Sequence, residues 1–264
     1  MSDERPRDID QYKKWLKKEH GVEILDRTKR YYESVTSGVK IEFQKSVFWR
    51  ELIENLKEYD GEYLVATGYH LFVPGSVPEL DIKPFDSFLI KTFRKNVLEN
   101  KNWPDEPNDG WIIPSNWYCR INDIIRTLFI VKYIDGVEFM VSKVKCLCEQ
   151  RMAECRIFLE AREEGYYAAH IYTRENFEIP KVTWDTERVD FSIEIQITTQ
   201  LQEVIRKLLH KYYEERRKKI KPEDVKWQWN YKTDEFVTNY LGHILHYVEG
   251  MIMEIREKQK EEMK

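Results

Sequence analysis

Cysteine, glycine and proline are all scarce in this chain, and each scarcity closes off a class of protein. The 264 residues hold only 4 Cys, 10 Gly and 9 Pro. Cys119, Cys146, Cys148 and Cys155 contain no C-x-x-C pair, which excludes a zinc ribbon. Two of them fall in the apolar run Val144-Lys145-Cys146-Leu147-Cys148, so they read as buried free thiols of a reducing compartment. So little Gly and Pro excludes a collagen repeat and a Gly/Ser linker protein. No run approaches the roughly 18 apolar residues of a membrane span. The opening MSDERPRDIDQYKKWLKK lacks the apolar stretch of a secretory signal. Neither sign of charge dominates: 43 Lys+Arg against 47 Asp+Glu leave a formal net charge of −4, which excludes a wholly basic nucleic-acid binder. The expectation is a soluble, cytoplasmic globular protein with no membrane partner.

Charge and aromatic rings are abundant instead, at 34% and 14% of the residues. Length and composition suffice for one sizeable core. Helices are expected over 8–35 and 45–59, the second with Val47, Phe48, Leu52, Ile53 and Leu56 at three- and four-residue steps. EYLVATGYHLFV (62–73) reads as a strand, ended by Pro74, Gly75 and Pro78. A helix is expected from Phe85 to about Lys101, then a loop to Asn116 that carries several tryptophans. Asp123 opens a β-branched strand that closes at Asp135-Gly136, and a helix follows over 137–152. Tyr166–Thr173 and Val189–Thr198 read as further strands. Helices from Gln200 to about Ile220 and from Asp234 onward complete the pattern. The fold class is α/β (α+β): a mixed sheet flanked by helices. We expect one domain, with an N-terminal helical appendage over 1–60, a body over 61–221 and a C-terminal helical extension over 222–264 packed on it.

Chemistry-bearing residues sit on segments that should be buried. In the strand 189–198, Phe191, Ile193, Ile195 and Ile197 face one way and Ser192, Glu194, Gln196 and Thr198 the other. Glu194 is then either on a wet face or in a site, and Asp123 is either a strand cap or a ligand. Two carboxylates at strand ends are a means of holding Mg²⁺, a hard cation that shares its shell with nucleotide phosphates. Lys83, Ser87 and Lys91 recur every four residues, which on a helix lines two cations and a hydroxyl along one face, suited to polyphosphate. Gly165-Tyr166-Tyr167-Ala168-Ala169-His170 places a ring able to stack on a base beside a hydrogen-bonding His. Eight Lys/Arg within RKLLHKYYEERRKKIK (206–221) form either a solvated face or a polyanion contact. His243 and His246 sit among apolar residues and read as packing histidines, and Trp227 and Trp229 as an aromatic staple. The amphipathic stretch 236–255 can pack on the sheet or pair with another subunit.

The order of these pieces resembles the synthetase domain of the RelA/SpoT family: Lys-x3-Ser-x3-Lys, a strand-opening Asp, GY-x3-H, then E-I-Q-I-x-T and a helix bearing His210. The resemblance covers about residues 80–215. It implies a nucleotidyltransferase-like fold and ATP- and Mg²⁺-dependent pyrophosphate transfer to the 3′ hydroxyl of GTP or GDP, making a (p)ppGpp-type alarmone of the stringent response. By that resemblance Lys83, Ser87 and Lys91 bind the ATP phosphates. Asp123 and Glu194 hold Mg²⁺, with Glu194 also the base. Tyr166 stacks on the acceptor guanine, His170 lies near its phosphates, and Gln196, His210 and Arg162 support.

Several positions depart from that pattern. Asp81 stands where the family has an Arg before the first Lys and would repel ATP. Ile197-Thr198-Thr199 replaces I-R-T, and Leu209 replaces a Glu. No basic loop precedes GY, although Arg151, Arg156 and Arg162 could replace its charge. Alternative readings are therefore a toxin-type small synthetase that pyrophosphorylates the tRNA 3′ end or makes an adenosine alarmone, with an antitoxin partner, and a degenerate fold that binds nucleotide or protein. A homo-oligomer is compatible with any of them.

Overall fold

The computed structural model describes residues 4–180, 185–217 and 226–262, and side chains as far as Leu208 before the second gap. Its centre is a mixed five-stranded sheet of β1 (Leu80–Ile82), β2 (Ile125–Val131), β3 (Glu154–Ala161), β4 (Tyr167–Pro180) and β5 (Thr186–Thr199). The strands are ordered β1-β2-β5-β4-β3. The helices are α1 (Ile9–His20), α2 (Asp26–Lys45), α3 (Val47–Glu54), α4 (Leu56–Thr67), α5 (Phe85–Phe93), α6 (Trp117–Arg120), α7 (Ile134–Gln150), α8 (Gln200–Arg217) and α9 (Asp234–Glu262). This is the α+β class that the alternating pattern predicts.

Strand β5 lies in the middle of the sheet, and its burial follows from that position. Phe191, Ile193, Ile195 and Ile197 are buried on one face, but so are Ser192, Glu194 and Thr198 on the other. Glu194 is therefore not on a wet face. A carboxylate at 3% exposure needs donors from the protein to offset its lost hydration.

Local pattern misleads in several places. The expected strand over 62–73 is helical through Thr67. Tyr59 and Tyr63, four residues apart, are buried together on α4, and Gly68 closes it with φ +81°, its amide donating to the Leu64 carbonyl at 2.8 Å. A left-handed C′ glycine is the usual end of a helix. Of the remaining segment, Phe72 forms one antiparallel bridge to Val131. The expected first helix is two, broken at Gly21 in the same conformation (φ +65°). Beyond α5 the chain makes a single π turn, Arg94–Leu98, instead of continuing a regular helix. Strands β1 and β3 have no strong apolar alternation and are absent from the sequence reading. The cysteines are free as expected, but Cys119 and Cys146 are exposed and Cys148 is buried.

The chain forms two compact units. The first comprises Met1–Gln44, Asp81–Arg126 and Arg174–Ile193, and the second Lys45–Leu80, Thr127–Thr173 and Glu194–Lys264. The first has an aromatic core: Tyr32 packs on Phe88 with centroids 4.8 Å apart, and Tyr118 stacks on Phe191 at 5.4 Å. Buried Asn96 donates to the Tyr12 hydroxyl and the Ile112 carbonyl, both at 2.8 Å, and accepts from the Ile112 amide at 2.9 Å. Every polar atom of that amide is engaged, which ties the loop after the π turn to α1. In the second unit α9 packs along α8 and α7.

Candidate functional site

The first cluster belongs to the first unit. Lys83 follows β1 and precedes Pro84, which disfavours helical backbone at position 83. It is not on the helix of Ser87 and Lys91, so the expected three-residue stripe is corrected. Ser87 and Lys91 lie one turn apart on α5, both half-buried. The backbone of Lys83 is fixed at both ends: its amide donates to the Ile124 carbonyl, and the Tyr32 hydroxyl donates to its own carbonyl, each at 2.8 Å. That geometry delivers its ammonium to Asp123. Lys83 Nζ lies 3.1 Å from Asp123 Oδ2, and Lys91 Nζ lies 2.8 Å from Oδ1.

The electrostatics of this trio favour an anion. Burial pushes the Asp123 carboxyl up, but Lys91 and Lys83 outweigh it and hold the pKa at about 2. Burial lowers the Lys83 ammonium, with Asp123 opposing the shift. Two cations share one carboxylate, which leaves surplus positive charge at a partly buried site. A polyphosphate entering there would compete for both lysines and leave an ionised carboxylate available as a hard oxygen ligand. The residues thus fit Mg²⁺ as it is usually held, by one or two carboxylates with waters and phosphate oxygens completing its shell. Among the described residues no group of three His, Cys, Asp or Glu side chains forms an all-protein metal site.

The second cluster belongs to the second unit, at the hairpin between β3 and β4. The turn closes with Gly165 N–H donating to the Arg162 carbonyl at 2.9 Å and Arg162 N–H to the Tyr166 carbonyl at 3.0 Å. Residues 166, 168, 170 and 172 then share one face. The Tyr166 hydroxyl meets His170 Nε2 at 3.1 Å, and His170 Nδ1 meets Glu194 Oε1 at 2.7 Å. A carboxylate only accepts, so Nδ1 carries the proton and Nε2 accepts from the phenol. Tyr172 donates to the same Oε1 at 3.0 Å, and Gln196 Nε2 donates to Oε2 at 2.9 Å. Oε1 has both lone pairs filled, whereas Oε2 has room for one more donor. The Tyr166 hydroxyl is pushed up to about 12, first by burial and then by Glu194, so it is a neutral donor at physiological pH. The Arg162 guanidinium lies 5.5 Å from the Tyr166 ring centre while paired with Glu160.

The structure therefore unites Lys83, Lys91 and Asp123 in one cluster, and Arg162, Tyr166, His170, Glu194 and Gln196 in another. The side chain of His210 lies outside the described residues, as does most of the basic stretch 206–221. Within the described part of that stretch, Arg206 and Lys207 both pair with Glu203. Arg151 is engaged by Glu51 and Arg156 by Glu154, so neither is a free substitute for a basic loop. Asp81 is exposed on β1, and the Thr198 hydroxyl donates to the Tyr167 carbonyl at 3.1 Å. Trp227 is buried against Tyr240, whereas Trp229 is 85% exposed, so only the first is a staple. An open cavity of about 600 Å³, walled in part by Lys57, Phe72, Leu128 and Lys132, includes no residue of either cluster.

Two contributors escape a reading by motif. Tyr172 was legible only as another residue of the parity shared by Tyr166 and His170. Tyr32, which holds the Lys83 carbonyl, has no local signal, because its partner is 51 positions away.

No protein-family profile matches the chain, and no curated protein matches it. Its fold is that of solved small alarmone synthetases. It is similar to small alarmone synthetase 1 from Bacillus subtilis, at 17% identity and a TM-score of 0.50, over 89% of this chain and 97% of that one. The same Bacillus subtilis protein bound to its product pppGpp matches at 16% identity and a TM-score of 0.50, with the same coverage.

Proposed function

We propose that this protein transfers pyrophosphate from ATP to the 3′ hydroxyl of GTP or GDP, forming a (p)ppGpp-type alarmone. The observation that carries this reading is the hydrogen-bonded chain from Tyr166 through His170 to the buried Glu194. Its members occur in the order and spacing of the RelA/SpoT motif, on a fold shared with an alarmone synthetase that binds pppGpp.

In this reaction the acceptor 3′ oxygen attacks the β-phosphorus of ATP. The bond between that phosphorus and the oxygen bridging it to the α-phosphorus breaks, and AMP leaves. Lys83 and Lys91 exchange Asp123 for the phosphate oxygens and hold the triphosphate in line. Asp123 is the residue that would hold Mg²⁺, which supplies neutralisation of phosphate charge when bound. Glu194 receives the hydroxyl proton at Oε2, the oxygen with an open lone pair, while His170 and Tyr172 keep the carboxylate oriented through Oε1. Tyr166 offers its ring face to the guanine.

The test is incubation with γ-labelled ATP and Mg²⁺ in separate reactions with GDP, GTP, ATP and deacylated tRNA. Label appearing in a guanosine tetra- or pentaphosphate is expected. Transfer to tRNA or to an adenosine nucleotide alone would assign the protein to the toxin-type reading. Nucleotide binding with no transfer to any acceptor would leave only the degenerate binder.

A further inference from the structure

Glycine in the interior of a long helix costs stability relative to alanine, so Gly242 within α9 calls for a reason. The reason is contact. A Cβ on Gly242 would stand 2.3 Å from the Gly165 carbonyl oxygen, and a Cβ on Gly165 would stand 2.5 Å from the Asn239 carbonyl oxygen and 2.8 Å from the His243 amide nitrogen. Gly165 also needs its left-handed backbone, at φ +74°. The turn immediately before Tyr166 is thus seated on the backbone of α9, with no side chain between.

The next turn of α9 extends the grip. His243 Nε2 lies 2.8 Å from the Glu163 carbonyl, so it donates there, and Nδ1 accepts from the Tyr167 hydroxyl at 2.8 Å. His246 stacks on the Tyr167 ring, with centroids 3.6 Å apart and planes within 8°. Its Nδ1 approaches Glu249, which in turn accepts from Thr199 at the end of β5. Tyr166 immediately precedes Tyr167, the first residue of β4, and side chains of consecutive extended residues point to opposite faces. Clamping Tyr167 from the α9 side therefore sets the ring of Tyr166 on the other side.

We propose that Gly242, His243 and His246 of α9, outside the segment that carries the family resemblance, are positioning residues for the nucleobase-stacking Tyr166. The inference rests on the reading of Tyr166 as the acceptor's stacking ring. It assigns the C-terminal helix a part in acceptor recognition, acting through the 163–167 turn without touching substrate.

The experiment measures steady-state constants for ATP and for GDP separately in His243→Ala, His243→Asn, Tyr167→Phe and Gly242→Ala, with Ile244→Ser as control. Ile244 neighbours His243 on α9 but is 56% exposed. His243→Ala and Gly242→Ala should raise KM for GDP about ten-fold or more, with KM for ATP and kcat within about two-fold. Tyr167→Phe keeps the ring and loses only the bond to His243, so it should give a smaller shift of the same kind. His243→Asn keeps a donor and an acceptor and should recover part of the loss. Ile244→Ser should behave as the native protein. If Gly242→Ala fails to fold, the His243 and Tyr167 variants carry the test. Unchanged GDP constants, or equal rises for ATP and GDP, would overturn the proposal. Hydrogen exchange over residues 163–171 separates this from a failure of the functional reading. If the native protein transfers to no acceptor, faster exchange in His243→Ala still upholds the clamp, and unchanged exchange refutes it.

Discussion

His170 and Glu194 meet at 2.7 Å inside the sheet, each almost entirely shielded from water. The carboxylate accepts three side-chain donors, from His170, Tyr172 and Gln196, which is how a buried charge is tolerated. Glu194→Gln preserves the shape but places an amide N–H₂ against groups that themselves donate. Turnover should fall by about 10²–10⁴-fold, the usual share of a general base. Far-UV circular dichroism and ATP binding should stay near native. Undiminished product from a folded Glu194→Gln enzyme would refute the proton-accepting role.

Tyr166 presents two separable features, a ring that we propose stacks on the acceptor base and a hydroxyl bonded to His170. Loss of a base–aromatic stack costs about 1–3 kcal/mol, or roughly 5- to 150-fold in affinity. Tyr166→Ala should therefore raise KM for the guanosine acceptor by that factor while KM for ATP moves little. Tyr166→Phe should retain most acceptor affinity and lose only the hydroxyl's hold on the imidazole. Titration of each variant with GDP and with a nonhydrolysable ATP analogue distinguishes the two. Equal weakening of both ligands would mean that the ring does not face the acceptor.

The pair of lysines on Asp123 predicts an acid-labile contribution to stability. The folded carboxyl has a pKa of about 2, against about 3.9 for an unfolded aspartate. A depressed pKa stabilises above the unfolded value and is lost as pH falls through the folded one. The contribution, roughly 2–3 kcal/mol, is thus complete above about pH 5 and is lost progressively as pH falls towards about 2 and below. Asp123→Asn should be less stable than native at pH 6, and the gap should close towards pH 2. Urea unfolding at a series of pH values measures this directly. A gap that stays constant with pH would show that the lysines do not hold Asp123 in solution.

The legibility of this protein in its sequence divides along physical lines. The centre of the sheet was readable, because β2 and β5 carry long β-branched alternations and GY-x3-H lies on a strand of fixed parity. Lys83 and Lys91 were found by their spacing, but for a reason that does not hold. Pro84 takes Lys83 off the helix, and its approach to Asp123 comes from backbone bonds to Ile124 and to the distant Tyr32. Residues 62–73 looked like a strand because EYLVATGYHLFV is rich in aromatic and β-branched residues and is bounded by Pro74 and Gly75. The deciding fact was Gly68, a helix terminator, together with the pairing of Tyr59 and Tyr63 on one helical face. The grip of α9 on the Gly165 turn lay beyond pattern altogether, since it depends on two glycines 77 positions apart.

A last prediction concerns Arg256, near the far end of α9. Its guanidinium lies between two rings, 4.3 Å from the Tyr69 centroid and 4.2 Å from that of Tyr133. It also meets Asp135 at 3.1 Å, and Tyr63 donates to the same carboxylate oxygen at 2.7 Å. At 6% exposure this cation joins α9 to α4 and α7 within one unit. Arg256→Ala removes the charge that Asp135 and Tyr63 were arranged around, and should lower stability by about 3 kcal/mol. Arg256→Lys restores charge without the planar fork that stacks between rings, so it should recover less than half of the loss. Asp135→Asn should cost less than Arg256→Ala, because the amide oxygen can still accept from Arg256 and the stack between Tyr69 and Tyr133 remains. Guanidinium unfolding of the three variants tests the ranking. A lysine variant as stable as native would show that charge alone, and not the double stack, fastens the helix.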